Sequence, residues 1–374
     1  MGLYTGYSEE GRGSMRTLVD AALPGLTSRE EGLIESADAL GRGVLARNAT
    51  AVDRGTLSVA VNLRALAEAG LAGVTVPTEA GGAGAGPAIF HRVLEGLCYG
   101  DGTTPFVIAQ HYGVVGMIVA SPNERLKALL PRMATGELFC GFGISHLRRT
   151  PPVLSATPYG AGYRLDGAVP WMTGYGLFSR VIIGGTLPDG QSLLAWTPFE
   201  ESEELRIDPP MELVAMNGAR TVSGRCEGLV VRPEDVVSID QPQARAGANR
   251  TAVPCLYGIA RACVDDLDAL AERRAAPAYR EAAARLRDRL DAQRPRFYAL
   301  FAHKADETAV AEARAAATTL ALDAVGALTV ATAGGANAIA HPAQRRLREA
   351  SVFATWGLAT EAANVAVAAL SAGA

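Results

Sequence analysis

A change of sequence pattern part-way along the chain limits the folds that it can adopt. Residues 28–137 are rich in alanine and leucine at helical spacing, whereas residues 138–241 form short apolar runs bounded by glycine, proline and Asp-Gly turns. Residues 245–374 return to alanine, arginine, leucine and glutamate with few helix breakers. Apolar runs that recur about every ten residues are typical of an antiparallel sandwich or barrel, and we expect a β-barrel domain here. We therefore predict an α+β chain with a helical N-terminal domain, a middle β domain and a helical C-terminal domain.

Local patterns place individual elements within these domains. In the N-terminal domain, Leu63, Leu66 and Leu71 recur at helical steps, which predicts one buried helical face. In the C-terminal domain, long stretches without breakers predict helices that include residues 257–273 and 278–290. The many alanines there favour helices that approach each other closely.

Composition and charge exclude several classes of protein. The 374 residues carry a formal net charge of −4 and are 49% hydrophobic, which is typical of a globular chain. No basic stripe interleaved with aromatics is present, so we expect no nucleic-acid partner. No run approaches about 18 apolar residues, and the N-terminal residues lack the apolar stretch of a secretory signal, so we expect no membrane span. The five cysteines form no CxxC pair, so we expect no metal site and a cytoplasmic protein with free thiols.

Several segments, taken in chain order, resemble the acyl-CoA dehydrogenase superfamily. This resemblance implies an N-terminal α-helical domain, a middle antiparallel β domain and a C-terminal four-helix bundle. It covers roughly residues 30–356, and it implies FAD as the cofactor and a homodimer or homotetramer as the assembly. The segments that carry it are GLAGVTVPTEAGGAG (70–84), ELFCGFGIS (137–145), GYRLDGAVPWMTG (162–174), EGLVVRPEDVV (227–237) and AGGANAIAHPAQRRLREA (333–350).

The resemblance assigns one end of the flavin to the middle domain. Trp171 and Thr173 match the residues that cover the ring and reach a ring nitrogen, and side chains two apart on a strand point to the same face. Phe142, Ile144 and Ser145 match the segment that reaches the pyrimidine side. A flavin needs such partners because a buried polar atom without one costs about 1–3 kcal/mol. The alternative is that Trp171 is a buried strand aromatic and Ser145 a turn residue.

The resemblance assigns the other end of FAD to the C-terminal domain of a second subunit. Arg273 matches an arginine that reaches the pyrophosphate, and Gly334 and Gly335 match a glycine pair that permits close backbone contact. Two neighbouring positions depart from the family pattern, because Ala276 stands where a Phe is expected and Ala331 where a Gln is expected. The alternative for Arg273 is a solvated side chain on the bundle.

A glycine-rich phosphate loop of the family is absent from this chain. Residues 146–152 read HLRRTPP where the family has Glu-Pro-Gly-x-Gly-Ser-Asp. Consecutive prolines cannot supply the backbone N–H groups of such a phosphate cradle. Arg148 and Arg149 are either bidentate phosphate ligands or surface residues beside a turn.

The family's catalytic base is also absent. Dehydrogenation of a thioester needs a carboxylate that removes the α-proton, but Gly357 stands at the usual position and Ala248 at the alternative one. Glu361 lies one helical turn beyond Gly357. His146 is our candidate catalytic residue, because histidine titrates near neutral pH, and His111 is the other titratable group near the expected pocket. Either histidine is alternatively structural.

Three functions remain open from the sequence. The first is an FAD-dependent oxidoreductase of the acyl-CoA dehydrogenase type, acting on an acyl thioester or a related small molecule. The second is a flavin-dependent monooxygenase on the same fold, for which no α-proton base is needed. The third is a non-redox protein that binds a ligand in the same pocket. The pair Trp171 and Thr173 favours the first two.

Overall fold

The structure is a computed structural model that describes residues 22–240, 250–302, 306–358 and 360–371. Helices come first in the chain, and a π-helical turn at Gly41–Leu45 joins α1 to α2. These helices are α1 (Ser28–Leu40), α2 (Ala46–Asp53), α3 (Ala60–Glu68), α4 (Pro87–Cys98), α5 (Thr103–Ala120), α6 (Glu124–Lys127) and α7 (Leu130–Ala134).

An eight-stranded sheet follows the helices. Its order is β6-β7-β3-β2-β4-β5-β8, and β1 pairs in parallel with β4. The strand β2 also pairs in parallel with β4, so the sheet is mixed and the predicted antiparallel arrangement is corrected at these two pairings. Strand β1 enters the sheet from α7 without a hairpin. The strands are β1 (Cys140–Gly143), β2 (Leu154–Tyr159), β3 (Gly162–Met172), β4 (Arg180–Thr186), β5 (Ser192–Pro198), β6 (Leu205–Ile207), β7 (Val222–Val231) and β8 (Val236–Asp240).

The centre of the sheet is buried on both faces. On β4, Ile182 belongs to an apolar cluster with α5, α6 and α7, whereas Val181 and Ile183 belong to the main core on the opposite face. Alternating residues of a strand point to opposite faces, and a strand covered on both sides therefore reads as an uninterrupted apolar run. The sequence VIIGG in β4 has this form.

The C-terminal helices pack against one another and against α4 of the N-terminal part. The helices predicted around 257–273 and 278–290 are present and longer, as α8 and α9. The described bundle includes a short helix, α12, in addition to the predicted four, so the order helical, β, helical is confirmed with one element added. These helices are α8 (Ala252–Arg274), α9 (Pro277–Ala299), α10 (Glu307–Thr332), α11 (Pro342–Thr355) and α12 (Thr360–Ser371).

The burial of individual side chains confirms several local predictions. Leu63, Leu66 and Leu71 are buried, as the helical pattern predicts, although Leu71 lies beyond the end of α3. All five cysteines are buried and free. Two segments, Thr103–Ala120 and Glu307–Asn337, are long and apolar enough to span a membrane by length and composition alone, with 72% and 50% of their apolar windows buried in the fold.

A buried carboxylate joins the N-terminal helices to the C-terminal bundle. Glu95 on α4 accepts hydrogen bonds from Arg261 on α8 (2.9 Å), from Arg294 Nε on α9 (3.1 Å) and from the hydroxyl of Tyr298 (2.7 Å). The two helices α4 and α8 approach closely because Gly258 faces the backbone of Glu95, where a Cβ would come within 2.3 Å of the carbonyl oxygen. Each charge in this group is therefore removed from water together with its counter-charges.

A second carboxylate extends the same group. Asp38 on α1 forms a salt bridge of 2.6 Å with Arg92 and a longer one of 3.4 Å with Arg261. All three side chains are buried. Burial alone would raise the pKa of Glu95, but the surrounding guanidinium groups overcome this and hold its pKa at about 2. We call Asp38, Arg92, Glu95, Arg261 and Arg294 the buried ion network.

Removal of one charge from this network tests its contribution to stability. We expect Glu95→Gln to lower the free energy of unfolding by about 3–5 kcal/mol, because it removes one of the two buried carboxylates that balance the three buried guanidinium groups of the network. The exposed Glu281, whose salt bridge to Arg285 is 3.9 Å long, is the matched control, and Glu281→Gln should change stability little. Urea unfolding followed by circular dichroism provides the measurement.

The pH dependence of the stability difference between wild type and Glu95→Gln gives an independent check. The pKa of Glu95 lies at about 2 in the folded chain against an ordinary value of 4.5, so its contribution is complete above about pH 4.5 and is lost as the pH falls towards 2. The gap in stability between wild type and Glu95→Gln should therefore shrink over this range. A gap that is small at pH 7, or that widens in acid, contradicts the assignment.

Candidate functional site

The ends of β1 and β3 lie against each other, and this contact creates the candidate site. A Cβ on Gly143 would come within 2.7 Å of the Met172 side chain and 3.3 Å of the Trp171 carbonyl oxygen. A Cβ on Gly141 would come within 2.9 Å of the Thr173 carbonyl oxygen. Glycine at these positions lets the two backbones meet. The contact brings the predicted residues of β1 next to the predicted residues of β3.

Trp171 presents a large part of its side chain at the surface. It is 45% exposed, although its neighbour Met172 is fully buried. The burial of Met172 fixes the end of β3, and alternation along the strand then directs the indole to the open side. The structure therefore places Trp171 outside the hydrophobic core, where an aromatic face remains available for a flat ligand.

Thr173 lies two residues beyond Trp171 and is only 6% exposed. Its hydroxyl shares one hydrogen bond of 3.1 Å with the hydroxyl of Thr221. Two hydroxyl groups carry two protons, and this bond uses one of them. The second proton has no acceptor among the described residues, so the threonine pair retains a donor for a ligand. Thr221 was not among the residues predicted for the site.

The turn that leads into Thr221 is held against β3. The backbone N–H of Gly174 donates to the Ala219 carbonyl (2.9 Å), and Arg220 Nε donates to the Tyr175 carbonyl (2.7 Å). Arg220 adopts a left-handed conformation with φ 50°. A left-handed non-glycine residue costs about 1–3 kcal/mol and persists only where its surroundings fix it. The hydrogen bonds around Arg220 fulfil that condition.

The same turn is anchored to both helical domains. Met216, which also has a left-handed backbone with φ 64°, donates its N–H to Asp53 on α2 at 2.7 Å. Asp53 in turn forms a 2.7 Å salt bridge with Arg348 on α11, and Arg348 also donates to the Val214 carbonyl at 2.9 Å. Asn-Gly at 217–218 is a turn signal in the sequence. It indicates the turn but not its anchors, which lie far away along the chain.

The residues predicted on the β1 side lie at different depths. Phe142 and Ile144 are half-buried and Ser145 is exposed. A 3₁₀ turn at Ser145–Arg148 follows the strand, and Arg148 and Arg149 are exposed on it. Neither arginine has a hydrogen bond or an ion pair from its guanidinium group to the described residues.

His146 lies in the same turn, but its surroundings differ from those of a proton-transfer group. Its side chain is buried, and Nε2 donates to the Gly184 carbonyl at 2.7 Å. Burial lowers the pKa of His146 below its usual value. His111 is likewise buried, with Nε2 3.3 Å from the Ala72 carbonyl oxygen. The geometry therefore supports structural roles for both histidines, and the catalytic role predicted for His146 has no support in its contacts.

The residues predicted to reach a second subunit lie on the surface of the bundle. Arg273 is exposed near the end of α8, and the next residue, Arg274, donates to the Ala331 carbonyl at 2.6 Å. Gly334 and Gly335 are exposed just beyond α10, and a Cβ on Gly334 would meet nothing within 4 Å. Within one chain, packing does not require the glycine pair. Its predicted contact with the partner's cofactor stays a prediction.

One of the two positions expected for the base, Gly357, lies in the described part of the chain. Gly357 follows the end of α11 with a left-handed φ of 59°, and it carries no carboxylate. Glu361 on α12 is exposed. Trp356 packs edge-on against Phe106 of α5, with ring centroids 5.1 Å apart. Ala248, the alternative position, lies outside the described residues.

Comparison with known proteins agrees with this architecture. Residues 27–137 match the family model described as acyl-CoA dehydrogenase, N-terminal domain. The N-terminal domain thus matches this family, and the fold of the whole chain is that of solved acyl-CoA dehydrogenases. The resemblance inferred from the sequence is thus confirmed. No curated protein is similar enough in sequence to match the chain.

Several solved structures share nearly the whole fold with this chain at low sequence identity. Butyryl-CoA dehydrogenase from Megasphaera elsdenii is 15% identical, and the match covers 92% of this chain and 99% of that one, with a TM-score of 0.78. Glutaryl-CoA dehydrogenase from Mycobacterium smegmatis in complex with FADH2 is 14% identical, covering 93% and 96%, with a TM-score of 0.80. KijD3 in complex with FMN and a dTDP-linked amino-keto sugar is 19% identical, covering 94% and 95%, with a TM-score of 0.77.

The buried histidines predict how stability depends on pH. Burial lowers the pKa of both His91 and His111 to about 4, against an ordinary value of 6.5. Between these values the unfolded chain binds protons that the folded chain does not, so stability is complete above pH 6.5 and falls as the pH falls towards 4. Each histidine should contribute a slope of up to about 1.4 kcal/mol per pH unit.

Urea unfolding between pH 4 and pH 7.5 measures this slope. The double variant His91→Gln/His111→Gln should show a flatter pH dependence than wild type, whatever its absolute stability. His341→Gln is the control, because His341 is only partly buried at the start of α11. A double variant with the wild-type slope would show that these two groups do not titrate as the structure implies.

Proposed function

We propose that the chain is a flavin-dependent oxidoreductase that binds the flavin ring against Trp171 and the threonine pair. The observation that carries this proposal is the half-exposed indole beside Thr173 and Thr221, whose pair of hydroxyls retains an unused proton. An aromatic face and a donor at the edge of the same opening fit a flat heterocycle with polar atoms along its rim. The donor set thus fits a flavin.

Each residue of the site has a physical task in this proposal. A bound flavin supplies hydride transfer or, when reduced, activation of O₂. Trp171 covers one face of the ring and excludes water from it. The threonine pair donates a hydrogen bond to a polar edge atom of the ring, and the turn at 216–220 keeps Thr221 in place because both of its ends are anchored. Ser145 is exposed just beyond the end of β1, where the resemblance assigns it to the pyrimidine side of the flavin.

FAD is the cofactor that we propose, bound between two copies of the chain. Arg148 and Arg149 offer guanidinium groups for phosphate oxygens at the end of β1, where the glycine-rich loop is missing. Arg273 and the exposed glycine pair offer a second contact from the partner. Val330 and Ile339, on either side of this pair, are exposed apolar residues that a second copy would cover. We therefore propose a homodimer or homotetramer.

One candidate reaction is dehydrogenation of an acyl thioester or a related small molecule, in keeping with the dehydrogenases that share the fold. A specific observation favours a second candidate, a flavin-dependent monooxygenase. Gly357 provides no carboxylate and Glu361 is exposed, so neither supplies a buried base for α-proton removal. The KijD3 structure holds FMN and a nucleotide-linked sugar, which indicates that the fold accommodates substrates other than CoA thioesters.

Flavin binding tests the cofactor site directly. We expect the purified protein to bind FAD, and Trp171→Ala or Thr173→Val to weaken the affinity by about tenfold or more through loss of the aromatic cover or the donor. Tyr159→Ala is the matched control, since Tyr159 is an exposed aromatic on the neighbouring strand β2, and Thr173→Ser retains the hydroxyl. Quenching of flavin fluorescence measures the affinity. Wild-type affinity in both test variants would refute the site, and a protein that binds no flavin would favour the non-redox alternative.

The two redox reactions differ in the compound that reacts with the flavin, which is an acyl thioester in one and oxygen in the other. With the FAD-loaded protein, bleaching of the flavin by a panel of acyl-CoA thioesters under anaerobic conditions supports the dehydrogenase. NADH-dependent oxygen uptake in the presence of a flavin reductase, with a hydroxylated or N-oxidised product, supports the monooxygenase. From the missing base we expect no bleaching by the thioesters. The variant Gly357→Glu, which installs the carboxylate, should lower the free energy of unfolding, because the left-handed φ of this position disfavours a side chain.

A further inference from the structure

A cavity of about 540 Å³ lies away from the candidate flavin site, between α6, α7 and the adjoining ends of β4 and β5. Its apolar surface includes Trp196, Phe199 and Leu138, all buried, and its rim carries arginines. None of the residues predicted to bind flavin lines it. The volume is within the range of about 300–1,000 Å³ that small-molecule sites occupy.

The pairing of three strands explains why an arginine reaches an apolar cavity. Arg180 at the start of β4 lies between Cys140 of β1 and Pro198 of β5. Two residues further along, Ile182 pairs with Trp196, so these side chains occupy the same face of the sheet as Arg180. This face packs against α5, α6 and α7. Arg180 therefore lies at the open end of that apolar cluster.

The arginines around the cavity differ in their partners. Arg125, Arg132 and Arg232 each have a carboxylate within 4 Å, and the two shortest pairs are Arg132 with Glu137 and Arg232 with Asp235, both at 2.7 Å. Arg180 is half-buried and has no hydrogen bond or ion pair from its guanidinium group to any described residue. Among the arginines of this rim, Arg180 is thus the one whose charge the described chain leaves unmatched, although the carboxylates of Glu200 and Asp235 also line the cavity.

A second donor is unused in the same cavity. Trp196 is only 6% exposed, and in the described part of the chain its indole N–H has no acceptor. A partly buried guanidinium without a counter-charge is unfavourable. A ligand with one anionic group would satisfy both donors, and an apolar body would cover the aromatic and leucine surface.

We propose that this cavity binds a small organic anion, with its carboxylate or phosphate oxygens on Arg180 and an aromatic or apolar body against Trp196 and Phe199. Arginine suits either anion, because its N–H groups form a fork that matches two oxygens. The site is independent of the flavin site and does not rest on the proposed redox function. It would place a second ligand at the junction of the N-terminal helices and the β domain.

The fluorescent aromatic sulfonate anilinonaphthalene sulfonate is a direct probe of such a site. We expect the wild-type chain to bind it, and Arg180→Gln to weaken this binding by about tenfold or more. Trp196→Phe, which keeps an aromatic surface without the N–H, should weaken it less. Arg225→Gln is the matched control, because Arg225 is an exposed arginine on β7 outside the cavity, and its binding curve should match wild type.

Competition identifies the chemistry of the ligand. Displacement of the probe by phenyl phosphate alone indicates a phosphate ligand, by benzoate alone a carboxylate ligand, and by both an anion site of either kind. Benzyl alcohol, which has the same ring without a charge, should not displace it. Equal binding of the probe by wild type and Arg180→Gln, equal displacement by benzyl alcohol, or no displacement by either anion would overturn the proposal. Circular dichroism spectra confirm that each variant is folded.

Discussion

The neutralisation of Glu95 inside the protein is the constraint on which the architecture depends. Its carboxylate accepts from Arg261, Arg294 and Tyr298, which belong to α8 and α9, about half the chain away from α4. A buried charge is tolerable only if its counter-charges are held in place, so α4, α8 and α9 must pack in a fixed arrangement. The two helical domains are therefore one packed unit, although the β domain separates them in sequence.

The candidate site depends on this unit through a second, smaller set of polar contacts. Asp53 comes from the N-terminal helices and Arg348 from the C-terminal ones, and both hold the turn at 214–220 of the β domain. The last part of this segment, the turn at 216–220, positions Thr221 against Thr173. The donor that we assign to the flavin edge thus depends on all three domains. A change in the packing of the helices would be transmitted to the threonine pair through the two anchors.

The sequence predicts the parts of this structure that local patterns determine. The three zones and the buried face of Leu63 and Leu66 follow from periodicity and turn residues, whereas Trp171 is assigned to the site through the family resemblance. The partners of Glu95 lie 166 and 199 residues away, so no local pattern indicates them. The parallel pairing of β1 and the contact of His146 with the Gly184 carbonyl are likewise set by tertiary packing. Single charged residues within apolar helices, such as Glu95, are the one signal of the network that the sequence contains.

The arrangement of the site explains how a ring-binding surface can persist where the usual base is lost. Trp171 and Thr173 belong to the β domain, whereas Gly357 lies just beyond α11. Helix α11 makes structural contacts of its own. Arg348 anchors the turn of the β domain, and Arg345 pairs with the buried Glu349 at 2.7 Å. The packing contacts of α11 therefore do not depend on a carboxylate at position 357. A substitution at 357 can then alter the reaction without disturbing the surface that would hold the flavin, because no contact of Trp171 or Thr173 among the described residues depends on that position.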